Sequence, residues 1–400
     1  MNLATDPKIY LAIDNCFASK RWTRPAEWMR IARDLGLSYV EASADTECDP
    51  LYADPAYLKG WLRDVRKSSR KTGVRVCNLY SGHGTYSTLG LAGTDRRNRA
   101  RILDQWLKVM ANNAASLDAG LGFFCHAFCD AVLQDAGEHR RAEKRLYKDL
   151  SSVAAHAQRA GVRSIGVEQM YTPHQIPWTM EGSFKLLAAV YAQSAAPFYL
   201  TIDTGHQSGQ RRFLRPARKH LELALRGFRS SGKTGTLWLG PLSAYTLFRQ
   251  AAATKGNRER QCLDRLEAEM DRFPHLFASV ADGDPYAWLA QLGCYSPIVH
   301  LQQTDGTSSS HLPFTEENSR AGIIQGDKVL KALAAAYAGE MRPGMPPRCS
   351  EIYLTLEPFS GTAAIPADIL EKLAESVAYW RQYIPKDGVR LSKALSKRKR

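Results

Sequence analysis

Short β-rich runs of this 400-residue chain repeatedly end in a carboxylate or an imidazole. Glu41 lies in SYVEASA, His83 follows VRVCNLYSG, and His126 lies in GLGFFCHAF. Glu168 lies in RSIGVEQM, Asp203 and His206 in FYLTIDTGH, His300 and Asp305 in SPIVHLQQTDG, and Glu357 in EIYLTLEPF. Each has a structural explanation when taken alone; His126, between Phe124 and Phe128, also reads as a satisfied core histidine. Together they are harder to explain that way, because a buried acid is costly unless it is paired or bound to a cation. Glu168, Asp203, His300 and Glu357 come from four successive runs and form a hard, oxygen-rich set. Such a set favours one divalent ion, with Mn²⁺ expected first and Mg²⁺ or Co²⁺ as alternatives, over a thiolate-type zinc site.

Those residues need a scaffold that brings many strand ends to one rim. The runs 8–15, 38–44, 74–82, 120–128, 163–170, 198–206, 296–306 and 351–359 alternate with amphipathic helical stretches. Pro25 opens one such stretch and Gly36 stops it, and Gly73 stops the next. Alternating β and α elements imply a parallel sheet with helical crossovers. Eight such units, with no glycine-rich phosphate loop, imply an α/β fold closed as a (β/α)8 TIM barrel. In that fold the C-terminal strand ends carry the site. The barrel is expected over 1–385, interrupted by a mostly helical insertion at 207–283 that serves as a lid or dimer arm. GKT within SSGKTG (230–235) lacks the strand–loop–helix context of a nucleotide loop.

The formal charge of +14 is concentrated rather than spread. The insertion 207–283 carries +7, and the last twelve residues, VRLSKALSKRKR, carry six Lys/Arg and no acid. A solvated basic tail at 386–400 is therefore expected, and a nucleic-acid partner is not favoured. Eight cysteines without framework spacing read as reduced thiols of a cytoplasmic protein, and no apolar run is long enough to span a membrane. A homo-oligomer is expected.

The strings VEQM, IDTGH, VHLQQTDG and LTLEPF, in this order and on these strands, resemble the xylose-isomerase-like barrel superfamily. Within it they resemble the sugar-phosphate isomerase and ketose 3-epimerase branch. The resemblance spans roughly 8–206 and 284–385. It implies that Glu168, Asp203, His300 and Glu357 bind the metal and that His206 contacts substrate. The branch carries an arginine shortly after the histidine of strand seven; here that stretch reads DGTSSSHLPF, with His311 and no arginine. His83, His126, Asp305 and His311 faintly echo the multi-zinc cluster of the superfamily's AP endonucleases.

The expected chemistry is isomerisation or epimerisation of a ketose or ketose phosphate by proton transfer through a cis-enediolate. Glu168 and Glu357 act as the acid–base pair and His206 stabilises the developing oxyanion. Glu41, His83, His126, Asp305 and His311 are expected substrate contacts, and Arg211 is a candidate phosphate clamp. The alternative within enzymes is a lyase or dehydratase on a keto-sugar, keto-inositol or 3-keto-glycoside. A nuclease or a polyanion-binding protein ranks below both.

Overall fold

The computed structural model describes residues 5–82, 89–233 and 235–396. Eight parallel strands close into a barrel: β1 (Lys8–Asp14), β2 (Tyr39–Ser43), β3 (Arg75–Ser81), β4 (Gly120–Phe123), β5 (Ile165–Glu168), β6 (Tyr199–Asp203), β7 (Ile298–Leu301) and β8 (Glu351–Leu356). Closure is made by β1, which pairs with β8 along its length and with β2 at Ile13↔Val40 and Asp14↔Glu41. The strands are shorter than the β-rich runs at their C-terminal ends, so His126 and Glu357 lie just beyond regular pairing.

Strand alternation sorts the interior into layers. On β1 it turns Tyr10, Ala12 and Asp14 to one face, and on β8 Tyr353, Thr355 and Glu357. Tyr10 and Tyr353 stack with Tyr39 at the bottom, with ring centroids 4.7 and 5.1 Å from Tyr10. The small Ala12 and Thr355 come next, and acids come at the top. Glycines on β4 leave room for the top layer. A Cβ on Gly120 would lie 2.6 Å from Asn78 Oδ1, and one on Gly122 would crowd both Asn78 and Tyr80. The outer faces of the strands and the apolar stripes of the helices share one continuous core that includes Trp28, Trp106, Trp288 and Trp380, all fully buried.

The longer helices of the expected insertion are Arg218–Ser231, Leu242–Ala252 and Asn257–Asp271. They bury Leu225, Phe248, Leu266 and Met270 among themselves and against the barrel. Arg218 pairs with Asp264 and Glu267, and Arg229 donates to the carbonyls that end the second helix. The unit packs against the segment that follows β4: the Leu242 amide donates to Gln134, and His275 Nε2 donates to the Leu133 carbonyl.

The C-terminal segment departs from the expected solvated tail. Val389–Arg390 forms β9, antiparallel to Lys8–Ile9, on the lower part of β1 that β2 leaves unpaired. The helix Leu391–Ser396 follows, with Leu391 and Ala394 buried and Ser392 bonded to Asp6. A free strand edge and two apolar side chains outweigh the local basic charge. Among the described residues no helix is long and apolar enough to cross a membrane, and all eight cysteines are free.

Candidate active site

Four ends of successive strands bring Glu168, Asp203, His300 and Glu357 together, and one ligand atom from each lies within 4.8 Å of all the others. All four are buried. His300 organises the group. Its Nδ1 lies 3.1 Å from Glu168 Oε1 and 3.4 Å from Glu357 Oε2. Its Nε2 donates to Glu41 Oε2 at 2.9 Å. Glu41 is held in turn by Asn78 Nδ2 at 2.6 Å. A carboxylate on Nε2 keeps a proton there, so that Nδ1 is the nitrogen whose proton a cation would displace, as in carboxylate–histidine–metal arrangements.

Asp203 accepts from the amides of Gly205 and His206 and from Gln302 Nε2 at 2.8 and 2.9 Å. Gly205 is dictated by this arrangement, because a Cβ there would lie 2.3 Å from the Gln302 amide carbon. His206 Nδ1 donates to the Gln169 carbonyl at 2.7 Å, which turns Nε2 toward Asp203. Tyr80 donates its hydroxyl to Glu168 Oε2 and stands edge-on to the His300 ring at 4.8 Å.

The electrostatics fit a cation. Burial opposes ionisation of Asp203, but His206, His311 and His300 outweigh it and hold the carboxyl at about 2. Burial also opposes charge on His300, yet Glu357 and Glu41 raise it well above the ordinary imidazole value. Burial raises Glu357, whose Oε2 makes no aligned hydrogen bond. Three converging carboxylates and one imidazole nitrogen are the donor set a hard divalent ion requires. A second grouping, Asp203, His206 and His311, shares the aspartate.

These residues open onto a cavity of about 560 Å³, walled by Asp14, Tyr80, Glu168, His206, His311 and Glu357 among others. His311 adopts a left-handed backbone (φ 45°) and stacks on Phe359, with centroids 3.8 Å apart. Its Nδ1 lies 3.3 Å from Glu357 Oε2, and although burial opposes charge, Glu357 and Asp203 push its pKa up to about 9. His311 thus places a cation where the resemblance leads one to look for arginine.

The other sequence candidates separate. Glu41 does not line the cavity; its two oxygens are spent on His300 and Asn78, so it positions His300. His126 is buried against Phe124 and Trp106, over Gly90, in a left-handed turn (φ 64°) that takes it off the cavity wall. Asp305 is exposed and caps Thr307, so the echo of a nuclease-type cluster is not assembled. Arg211 is drawn away by the carbonyls of Gly283 and Gly306, and a phosphate clamp there is not formed. His83 lies outside the described residues. No described residue of 207–283 lines the cavity, so the insertion stands beside its mouth. Tyr80, Gln302 and Asp14 went unread in the sequence. Tyr80 and Asp14 were legible only as inward positions at the ends of β3 and β1.

Residues 29–226 match the xylose isomerase-like TIM barrel family. A D-erythrulose 1-phosphate 3-epimerase from Brucella abortus (strain 2308) is 32% identical over 362 residues, covering 88% of this chain and 89% of that protein. The chain belongs to this family. Solved structures share the fold. A candidate xylose isomerase from Rhodospirillum rubrum ATCC 11170 aligns with a TM-score of 0.66 at 18% identity, over 93% of this chain and 98% of that one. A D-psicose 3-epimerase from Clostridium cellulolyticum H10, solved with D-tagatose, aligns with a TM-score of 0.54 at 13% identity, over 94% and 99%.

Proposed function

We propose that this chain is a divalent-metal-dependent sugar epimerase that inverts the carbon next to the carbonyl of a short ketose phosphate, D-erythrulose 1-phosphate being the first substrate to test. The observation that carries the reading is the convergence of Glu168, Asp203, His300 and Glu357 on one point, with Glu168 and Glu357 lining the cavity and Asp203 and His300 buried behind them. The near full-length likeness to a D-erythrulose 1-phosphate 3-epimerase supports the substrate class.

Glu168, Asp203, His300 and Glu357 would hold the ion, with Mn²⁺ expected first. When bound, it supplies Lewis-acid polarisation of a carbonyl and its neighbouring hydroxyl, which eases loss of the intervening proton. Glu168 and Glu357 lie 3.1 and 3.4 Å from His300 Nδ1 and both line the cavity. One carboxylate takes the proton from one face of the substrate carbon, and the other returns a proton to the opposite face. Tyr80 fixes the Glu168 oxygen that is not turned to His300. His206 Nε2, oriented from behind by the Gln169 carbonyl, can hydrogen-bond the developing oxyanion.

The test is deuterium exchange. In D₂O, the Mn²⁺-loaded protein should wash deuterium into C3 of D-erythrulose 1-phosphate, followed by loss of the C3 proton signal in NMR, and form its C3 epimer, followed by the fall in optical rotation because C3 is the only stereocentre. Elimination of phosphate or formation of an unsaturated product without exchange would replace this reading with a lyase.

A further inference from the structure

Two carboxyls of the cavity lie outside the metal set, Asp45, which accepts from Ser81, and Asp14. Asp14 ends β1, is 1% exposed, and lines the cavity together with Cys16 and Ser19 of the turn that follows. Its Oδ1 accepts from the Cys16 amide at 2.6 Å. Its Oδ2 is buried and makes no aligned hydrogen bond among the described residues, the Cys16 thiol being turned to the Asp14 and Pro358 carbonyls. A buried carboxyl oxygen left unpaired is costly, and an acid retained only for structure would be paired on both oxygens. Its strand partner Glu41 is such an acid, with both oxygens occupied. Asp14 is also absent from both groupings able to hold an ion.

The cavity is polarised around Asp14. In a closed eight-stranded barrel the end of β1 stands well across from the end of β6. Acids occupy the β1–β2 side, with Asp14 and Asp45 lining it. His206, Ser309 and His311 line the β6–β7 side, and among the described lining residues there is no Lys or Arg. A phosphoryl group finds its donors on the imidazole side. A neutral hydroxyl is the group that suits Oδ2, because it brings a proton without adding negative charge.

Resting on the proposed epimerase reading, we propose that Asp14 determines specificity for the unphosphorylated end of the substrate. Its Oδ2 accepts the hydrogen bond of the hydroxyl on the carbon beyond the inverted centre, while the phosphoryl end lies toward β6 and β7.

The test compares D-erythrulose 1-phosphate with its 4-deoxy analogue on the Mn²⁺-loaded full chain, as wild type, Asp14→Ala and Asp14→Asn. Wild type should favour the hydroxylated compound in kcat/KM by roughly 10- to 100-fold, the span expected for one hydrogen bond to a buried acidic acceptor. Asp14→Ala should treat the two compounds alike within about threefold. Asp14→Asn, which keeps an acceptor, should restore part of the discrimination. Manganese content and the melting temperature of each variant separate this effect from misfolding or metal loss. If Asp14→Ala keeps the wild-type discrimination, the proposal is overturned and the epimerase reading stands. If wild type neither exchanges deuterium into D-erythrulose 1-phosphate nor binds it by calorimetry, the epimerase reading falls and this proposal with it.

Discussion

Glu41→Gln isolates what a single charge contributes to the metal site without touching a ligand. Glu41 Oε2 receives Nε2–H of His300 at 2.9 Å and Oε1 receives Asn78 Nδ2 at 2.6 Å, all fully buried. Gln fills the same volume but offers one acceptor and two donors where two acceptors are needed. If its oxygen faces His300, its amide N–H groups confront Asn78. If its nitrogen faces His300, two donors meet, or the imidazole proton moves to Nδ1 and removes the lone pair that a cation requires. A hydrogen bond to a charged group contributes about 1.5–3 kcal/mol, against about 0.5–1.5 for a neutral pair. The difference is of order 1–2 kcal/mol, before any penalty for the wrong tautomer. Losses of about 10- to 100-fold in metal affinity are typical for such supporting residues.

The assay is Mn²⁺ affinity by competition with a calibrated chelator, alongside kcat at saturating Mn²⁺. We expect Kd to rise by about 10- to 100-fold, with most of the activity recovered when Mn²⁺ is raised. Asp203→Asn, which alters a ligand, should instead lose the ion at any practical concentration. Two results would refute the reasoning. An unchanged Kd would mean that Glu41 does not orient His300. Metal loss as complete as in Asp203→Asn would make Glu41 a ligand in its own right.

Three further outcomes follow from other contacts. Tyr80→Phe removes the donor on Glu168 Oε2 while keeping the ring against His300; kcat should fall by about 10-fold or more with manganese content retained, and equal kcat would show that the contact is incidental. Gly205→Ala forces a Cβ to 2.3 Å from the Gln302 amide and should cost about 1–3 kcal/mol by denaturant melts, with weakened metal binding through Asp203. Burial pushes Glu47 up to about 7, despite the Trp61 and Trp28 indole donors that oppose the rise. The folded chain therefore keeps on Glu47 a proton that the unfolded chain releases near the ordinary glutamate value. Its contribution to stability is full at low pH and is lost as pH rises through about 7. Glu47→Gln should accordingly gain in melting temperature relative to wild type between pH 5 and 8, and a pH-independent difference would exclude the shift.

How much of this was written in the sequence depends on which contacts a residue's identity encodes. The eight strands and most helices were legible, because apolar periodicity and glycine stops are local properties. The four candidate ligands were legible because each is an acid or imidazole at a strand end, and only a barrel gathers such ends. Glu41 carried the same signal yet became a supporting residue. What separates it from Glu168 is the Asn78 and His300 side chains opposite it, from β3 and β7, and no spacing within one chain reports such pairs. Asp305 and Arg211 were misplaced for a related reason. Both sit where chemistry is expected, but the loop around each offers closer partners, Thr307 for the acid and two backbone carbonyls for the guanidinium. The C-terminal segment shows the converse. Its basic charge suggested solvent, while two apolar side chains and the unpaired lower edge of β1 decided its place. Charge density is read easily along a chain, but an edge left open by the stagger of β1 against β2 exists only once the barrel has closed.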